Sequence, residues 1–292
     1  MSISMDNIPA NVRVPLVYIE FNNNRAVQGT PAMNYKVFLI GQRLATGNHP
    51  AGVPVRVTSD GQADSAFGRG SMLAEMVKAK LAAERFVETW AVALDDDEAG
   101  NAAAGSITVT GTASAAGTLN LYVAGQRVRV GVAADAAGAT IATSLAAAIN
   151  SVATLPVSAE VDSSVTHQVN LSCRWKGETG NDIDLRLNHH IGETTPAGLS
   201  IEINAMSGGT ANPDVGDAIA AMGDEWWHTV VMPYTDAPNL DTLRNELLER
   251  WGPMKMMEGI AFAAMRGTHG ETGTFGHTRN DHLLTVMGTG AS

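Results

Sequence analysis

The sequence predicts an α/β body, a mixed sheet flanked by helices, interrupted by an inserted α+β domain rich in short antiparallel strands. Three observations support this fold class. A strand–helix–strand pattern occupies 35–100, short alternating runs of polar and apolar residues fill 101–205, and strands alternate with helices again over 206–292. We therefore expect a discontinuous α/β body (35–100 plus 206–292), an inserted domain (101–205) and an N-terminal arm or edge segment (1–34).

The N-terminal segment has the composition of an arm or an edge strand. It is rich in Asn and Pro, and its one apolar run, from Val14 to Ile19, contains Pro15. Proline cannot donate to a ladder of hydrogen bonds and is confined to edge strands. The run is therefore not expected in the middle of a sheet.

The first half of the body begins with a strand at Lys36–Ile40, closed by Gly41, and continues with a helix over 71–87 and a strand at Thr89–Leu94. Ser71 is a suitable N-cap for the helix. Apolar residues at spacings of three and four form its predicted buried stripe: Met72, Met76, Ala79, Ala83 and Phe86.

The predicted insert begins after Asp95–Gly105, which is acidic, then Ala- and Gly-rich, and has no periodicity. Ala124-Gly125 separates two alternating runs by two residues, which indicates a tight hairpin. A helix is expected over 140–152, because Ile141, Leu145 and Ile149 recur every four residues. The predicted strands are 106–110, 118–123, 126–130, 157–161, 168–173, 182–187 and 199–203.

The second half of the body resumes after Ser207-Gly-Gly209. A helix over 239–251, with Asn239 as its cap and Gly252-Pro253 as its stop, is the clearest element. The other predicted elements are a helix at 214–222 and strands at 226–232, 259–265 and 283–287.

Composition excludes several classes of protein. Lys and Arg total 19 against 30 Asp and Glu, a net charge of -11, which argues against nucleic-acid binding. The single cysteine, Cys173, excludes an internal disulfide and a Cys-rich metal site, and we expect a buried, inert thiol. The N-terminus has no features of a secretion signal, and no apolar run approaches the ~18 residues of a membrane span.

Enzyme motifs are largely missing. The chain contains no phosphate-binding P-loop, nucleophile elbow or HExxH motif. Gly68-Arg-Gly70 precedes the first helix, but Leu73 stands where a dinucleotide-binding motif needs a third glycine. We therefore predict that the protein is not an enzyme and has no catalytic residue, cofactor or metal ion.

One alternative stays open, an α/β hydrolase-like or metal-dependent enzyme that uses the His269–His282 loop. His269, His277 and His282 lie in a polar Gly- and Thr-rich stretch, together with Glu271 and Asp281. No pair of these histidines has the i, i+3 or i, i+4 spacing of a metal site on a helix. Surface histidines in a loop are the favoured interpretation.

Six stretches, in order along nearly the whole chain, resemble the Mu-like contractile phage tail sheath proteins. They are Asn7–Phe21, Lys36–Gln42, Asp60–Glu75, Gly117–Gln126, Met232–Asp236 and Arg250–Met254. The resemblance implies a structural protein of the virion that assembles in the host bacterial cytoplasm. Its subunits would polymerise in stacked rings around the inner tail tube and contract to drive the tube through the host envelope during genome ejection. The implied partners are other copies of the chain, the inner tail tube protein, the baseplate and the tail terminator, with no nucleic acid and no membrane insertion.

The resemblance also implies terminal arms that link subunits by adding strands to neighbouring sheets. The residues that match such a strand-donating arm are Val14, Leu16, Tyr18 and Phe21. Sheath proteins of this type continue beyond the strand at 283–287 into a further C-terminal domain. This chain stops at Ser292, so we expect a C-terminally truncated sheath protein, either engineered or natural.

Overall fold

The computed structural model describes residues 34–290 and, within the preceding segment, Val17. The strands are β1 (Lys36–Gln42), β2 (Val55–Arg56), β3 (Glu88–Leu94), β4 (Ala102–Gly111), β5 (Gly117–Val123), β6 (Gln126–Val132), β7 (Val157–Val161), β8 (Gln168–Lys176), β9 (Leu185–Leu187), β10 (Leu199–Ser207), β11 (Thr229–Val231), β12 (Ile260–Gly267) and β13 (Leu284–Gly290). The α-helices are α1 (Asp60–Phe67), α2 (Met72–Ala83), α3 (Gly138–Ser151), α4 (Gly216–Ala220), α5 (Ala237–Trp251) and α6 (His269–His277), and Glu178–Asp182 forms a 3-10 helix.

The body is a six-stranded sheet in the order β13-β12-β11-β1-β3-β2. Four of the five pairs of neighbouring strands are parallel, and the pair β2–β3 is antiparallel. The predicted mixed α/β sheet is thus confirmed. Because parallel strands run in one direction, the carboxyl ends of β1, β3 and β11 meet at the same edge of the sheet.

The central strand β1 divides the apolar residues between two layers. Leu39 packs with Phe67, Leu73 and other residues of α1 and α2 on one face. Phe38 and Ile40 belong to the apolar cluster on the other face. Side chains of a strand alternate between faces, so the all-apolar run Val37–Ile40 corresponds to a strand that is covered on both sides.

The loop before α2 and the start of this helix follow their local sequence. Gly68 and Gly70 have φ angles of 87° and 80°, a region that favours glycine, so the motif is a turn that leads into the helix. The Ser71 hydroxyl accepts a 3.1 Å hydrogen bond from the Ala74 amide. The predicted stripe is largely wrong, because only Met72 of its five residues is buried and Ala79, Ala83 and Phe86 are exposed. The helix ends at Ala83, and its other buried residues are Leu73, Ala74, Val77 and Leu81.

Helix α5 begins earlier than expected. Its N-cap is Asp236, whose carboxylate accepts from the Asn239 amide, and not Asn239 as predicted. The Asn239 side chain is buried and holds the preceding loop instead. It donates to the Pro213 carbonyl at 3.0 Å and accepts from the Val215 amide at 3.1 Å. A long-range contact of this kind leaves no local sequence signal.

The segment between β3 and β11 contains two antiparallel sheets. One has the order β10-β4-β8-β7, and the other β6-β5-β9. The hairpin between β5 and β6 turns at Ala124-Gly125, both with positive φ, as predicted. Helix α3 packs against these sheets through Ile141, Leu145 and Ile149. The same apolar cluster extends to Phe38 and Ile40 of the body.

Several predicted elements are shorter or of a different kind. The helix expected at 214–222 covers only Gly216–Ala220, and the strand expected at 226–232 only Thr229–Val231. The strand expected at 182–187 is reduced to Leu185–Leu187, because Asp182 lies in the 3-10 helix. The described part of the chain contains no helix long and apolar enough to cross a bilayer.

Candidate functional site

The resemblance implies contacts with other copies of the chain, so the candidate sites are sheet edges and exposed segments. The four residues expected in the strand-donating arm, Val14, Leu16, Tyr18 and Phe21, lie outside the described residues. The structure therefore leaves the arm as a prediction.

The body sheet has two edges of different character. At one edge, β2 has only two residues and follows Pro54. At the other edge, the seven-residue strand β13 pairs with β12 along Leu284–Gly290 and has no partner on its outer side among the described residues. A long unpaired edge presents backbone donors and acceptors to any strand that approaches it. Strand β13 is therefore the better acceptor of the two edges.

The outer half of β13 is also accessible. Its residues from Met287 to Gly290 are exposed, and Met287 is 53% exposed. On the inner side, Gly288 lies against Thr272 of α6, and a Cβ added at this glycine would be 3.3 Å from the threonine side chain, a tight contact. Helix α6 thus covers one face of the strand while its outer edge stays accessible.

A second candidate region is the junction between the body sheet and the inserted segment. The two chain connections lie side by side, because Asn101 and Thr210 form an antiparallel bridge with two backbone hydrogen bonds of 3.2 Å. The Asn101 side chain adds a 3.0 Å hydrogen bond to the Thr210 hydroxyl. The two connections between the body sheet and residues 102–209 are therefore adjacent in space.

Gln42, the last residue of β1, forms hydrogen bonds to the connection that follows β3 and to the end of β8. It is fully buried, and its amide nitrogen donates to Asp96 Oδ1 and to the Lys176 carbonyl, both at 2.7 Å. The Lys176 ammonium in turn donates to the Glu98 carbonyl at 3.0 Å. Burial raises the pKa of Asp96, and the hydrogen bonds to it partly counteract this effect.

Asn212 fixes the second connection. Its amide donates to Asp236 Oδ1 at 2.7 Å, and its carbonyl oxygen accepts from the Glu178 amide at 2.9 Å. The Asp236 carboxylate also accepts from the Asn239 side chain at 3.1 Å. Two sets of polar contacts, one around Gln42 and one around Asn212, therefore join the body sheet to residues 102–209.

Residues 269–282 were expected to form a loop that carries three histidines. This expectation was wrong for most of the segment, because it begins with a helix. Residues 269–277 form α6, capped by Thr268 and Glu271, which satisfy each other's backbone amides. The Glu271 carboxylate accepts from the Thr268 amide and hydroxyl, and these bonds lower its pKa. His269 and His277, at opposite ends of α6, are eight residues apart, or about 12 Å along the axis.

The remaining groups of this segment do not converge either. Asp281 pairs with Arg279 at 2.7 Å, and Arg279 also binds Asp241 of α5 at 2.9 Å. His282 is exposed. Within residues 34–290, no group of three or more His, Cys, Asp and Glu side chains is arranged to hold a metal ion.

The single thiol lies in the interior of the insert. Cys173 is 5% exposed, and burial raises its pKa to about 11. A thiol in this state is a poor nucleophile. The predicted burial of Cys173 is confirmed.

Sequence reasoning missed the junction residues. Gln42 had a weak signal, since a polar residue that ends an apolar strand after a glycine is unusual in a buried position. Asn212 lies in a short polar loop, and no sequence signal pointed to its role. Thr268-x-x-Glu271 has the spacing of a capping box and could have identified α6.

Comparisons with known proteins agree with the resemblance. Residues 208–292 match the family model of the phage tail sheath protein central domain. The Mu-like prophage FluMu tail sheath protein of Haemophilus influenzae is 45% identical over 289 residues. This match covers 99% of the present chain and 59% of that relative, so the chain spans less than two thirds of the relative's length.

Two solved structures of sheath tail proteins also match this chain, both at low sequence identity. The sheath tail protein of Listeria innocua is 12% identical, with a TM-score of 0.32, over 80% of this chain and 48% of its own. The corresponding values for the sheath tail protein of Desulfitobacterium hafniense are 12%, 0.35, 92% and 55%. TM-scores this low support no conclusion about shared fold. The sequence matches nevertheless confirm the resemblance inferred from the sequence: over nearly its whole length, this chain is similar to a Mu-like prophage tail sheath protein.

Proposed function

We propose that this chain is part of a structural subunit of a contractile phage tail sheath. The subunits polymerise in rings around the inner tail tube, and contraction of the sheath drives the tube through the host envelope during genome ejection. The subunit assembles in the host bacterial cytoplasm and becomes part of the virion. Its partners are other copies of itself, the tube protein, the baseplate and the tail terminator.

The observation that carries this proposal is the 45% identity to the Haemophilus tail sheath protein over 289 residues. The match to the sheath central domain over residues 208–292 supports it independently. The alternative, an enzyme built on the 269–282 segment, has no such support, because the described side chains of that segment cap a helix and pair with arginines instead of converging.

Subunits would be linked by strand addition, with the segment from Val14 to Phe21 as the donor. The open edge of β13 supports this mode, since an added strand gains backbone hydrogen bonds along seven residues. Each such bond contributes about 1 kcal/mol net. Several bonds together with side-chain burial are needed to offset the cost of association.

Electron microscopy of phage particles tests the proposed function. Antibodies raised against residues 34–290 should label tails along their whole length in particles released by the bacterium that encodes the chain. Labelling confined to the head, the baseplate or non-particulate material would refute a sheath role. Particles whose tails carry a sheath of a different protein serve as the control.

The arm is tested by paired substitutions in the complete sheath protein that contains this chain. L16P and Y18P remove backbone donors that strand pairing needs, whereas L16A and Y18A shorten the same side chains and keep the donors. We expect fewer sheathed tails with the proline variants than with the alanine variants. Equal numbers of sheathed tails in the two pairs would contradict strand donation by this segment.

A further inference from the structure

The hairpin of β5 and β6 has two faces of opposite character. Its apolar face, which includes Leu119 and Leu121, packs into the core. Side chains alternate between the two faces along each strand, so the residues in between point to the opposite face. This second face is polar, and it carries Thr118, Asn120, Tyr122, Arg127 and Arg129.

Residues 188–198 lie against the polar face and are anchored there by Glu193. The Glu193 Oε1 atom accepts from the Tyr122 hydroxyl at 2.7 Å and from the Arg127 guanidinium at 3.3 Å. Its Oε2 atom accepts from the His190 amide at 3.1 Å. Between this segment and the hairpin lies a cleft of about 600 Å³.

Glu193 shows which chemical group this face binds. Tyr122 and Arg127 lie directly opposite each other in the register of the hairpin, and the glutamate carboxylate accepts from both. Burial opposes ionisation of this carboxyl, but its hydrogen bonds, that from Tyr122 first, lower its pKa. A hydrogen-bond donor opposite an arginine therefore holds a charged carboxylate here.

The neighbouring pair on the same face repeats this arrangement. Asn120 lies directly opposite Arg129, and residues placed in this way have Cβ atoms about 4.5–5.5 Å apart. Both residues line the cleft, and Asn120 is only 9% exposed. The asparagine amide and the guanidinium both supply N–H donors. Arg127 has its carboxylate in Glu193, whereas no carboxylate among the described residues pairs with Arg129.

The charge of the cleft favours a small anion. Its ionisable lining residues are Arg127, Arg129 and Glu193, which leaves an excess of one positive charge in a chain whose net charge is -11. A site of this charge attracts anions and repels cations. A carboxylate neutralises the excess, whereas a doubly charged phosphate would overcompensate it.

We propose that Arg129 and Asn120 form a binding site for a carboxylate supplied by another molecule. The planar guanidinium of Arg129 binds both carboxylate oxygens, and the Asn120 amide donates a further hydrogen bond to the same group. The carboxylate belongs to a small free acid or to an acidic side chain of a protein segment. The volume of the cleft lies within the range of ligand sites, roughly 300–1,000 Å³, and accommodates either source.

Nuclear magnetic resonance titration of the 292-residue chain tests the site with defined probes. Propionate, which matches a glutamate side chain, should shift the side-chain N–H signals of Asn120 and Arg129. Propionamide, its uncharged analogue of the same size, should not. If propionate leaves both signals unchanged, or if propionamide shifts them equally, the proposal is wrong.

A second pair of probes distinguishes the two sources of the carboxylate. The peptide acetyl-Gly-Glu-Gly-amide presents the same group on a protein backbone, and acetyl-Gly-Gln-Gly-amide is its uncharged control. Tighter binding of the glutamate peptide than of propionate supports the proposal with an acidic protein segment as the ligand. Equal or weaker binding of the peptide supports it with a small free acid. Equal affinity for the two peptides contradicts the proposal.

Variants of the chain identify the residues responsible. R129Q removes the charge and should weaken carboxylate binding at least about 10-fold. R56Q is the matched control, because Arg56 is an exposed arginine on strand β2 and does not line the cleft; it should leave the affinity unchanged. N120D places a carboxylate of the chain itself opposite Arg129 and should abolish binding, while circular dichroism reports whether this variant folds. Binding that survives R129Q overturns the proposal, whatever the result for N120D.

Discussion

Asn101 and Thr210 are 109 positions apart, yet they exchange two backbone hydrogen bonds of 3.2 Å. The two ends of the inserted segment are therefore adjacent in space. An insertion is tolerated where the ends of the added segment lie close together. This pair gives a structural basis for testing whether residues 101–205 form a domain of their own.

The first prediction is that residues 101–205 fold when they are expressed alone. Both antiparallel sheets and helix α3 are contained in the segment between β3 and β11, and they provide a core around Leu119, Leu145 and Val169. We expect a single cooperative thermal transition. It should lie below that of the whole chain, because the same apolar cluster also includes Phe38 and Ile40 of the body.

A segment without any cooperative transition would refute this prediction. The reciprocal variant replaces residues 102–209 by a short flexible linker between the neighbouring ends. The body should keep its far-ultraviolet circular dichroism in this variant, since all six strands of its sheet lie outside the deleted part.

The second prediction concerns Arg250 near the end of α5. Its side chain is 4% exposed and pairs with Glu246 at 2.7 Å. It also donates to the carbonyls of Gly223 and Glu225, which anchors the loop before β11. R250A leaves these groups unpaired, so it should destabilise the fold by roughly 3 kcal/mol in urea denaturation.

Arg244 on the same helix is the control. Its side chain is 36% exposed and its ion pairs with Asp241 and Asp281 are 3.4 and 3.5 Å long. R244A should therefore cost less than about 1 kcal/mol. Similar losses for R250A and R244A would show that the buried arginine does not anchor the loop.

The third prediction is that the histidines of the 269–282 segment are dispensable. All three are exposed, so replacing His269, His277 and His282 together by Ala should change the free energy of unfolding by less than about 1 kcal/mol. Elemental analysis of the purified chain should detect no stoichiometric metal. A metal that is bound in the unaltered chain and lost in the triple variant would contradict this prediction.

The cap of the same helix provides a positive control. The Thr268 hydroxyl accepts from the Glu271 amide, and Glu271 returns the interaction to the Thr268 amide. T268A removes half of this reciprocal cap and should cost about 0.5–2 kcal/mol. Stability measurements that detect T268A are sensitive enough to judge the triple variant.

The fourth prediction is that Cys173 reacts slowly in the folded protein. With a pKa of about 11, on the order of 0.1% of the thiol is ionised at pH 8, and the side chain is 5% exposed. We expect a thiol reagent to react at least about 100-fold more slowly with the folded chain than with the chain in denaturant. Equal rates would mean that the surrounding strands open readily.

The fifth prediction is that the 292-residue chain is mainly monomeric. Its net charge of -11 opposes association at low salt. The backbone hydrogen bonds of one added strand, at about 1 kcal/mol each, do not by themselves exceed an association cost that can reach ~15 kcal/mol. Sedimentation at micromolar to tens-of-micromolar concentration should show one species near 30.5 kDa. Rings or tubes under these conditions would place sufficient assembly contacts within this chain.

The sequence predicted best where local pattern and burial agree. Lys36–Ile40 is apolar throughout, and it forms the sheet's central strand covered on both faces. Ala124-Gly125 predicted its hairpin because the turn needs two residues with positive φ. In both places, neighbouring residues carry the information that sets the structure.

Prediction failed where distant contacts or weak periodicity decide the structure. Helix α6 contains three glycines and no apolar stripe, so only its cap signals it. Asn239 was interpreted as a cap, although it is used to hold Pro213 and Val215. The roles of Gln42 and Asn212 depend on residues more than 20 positions away, which no local pattern contains.

The bridge between Asn101 and Thr210 also determines how the junction carries mechanical load. Two chain segments cross from the body to residues 102–209 side by side, so a pull that breaks the non-covalent contacts between these parts is then divided between two covalent paths. A force on residues 102–209 pulls both connections in the same direction. The two connections therefore do not slide past each other. Tension of this kind stretches backbone along its length and leaves the transverse hydrogen bonds between Asn101 and Thr210 unsheared.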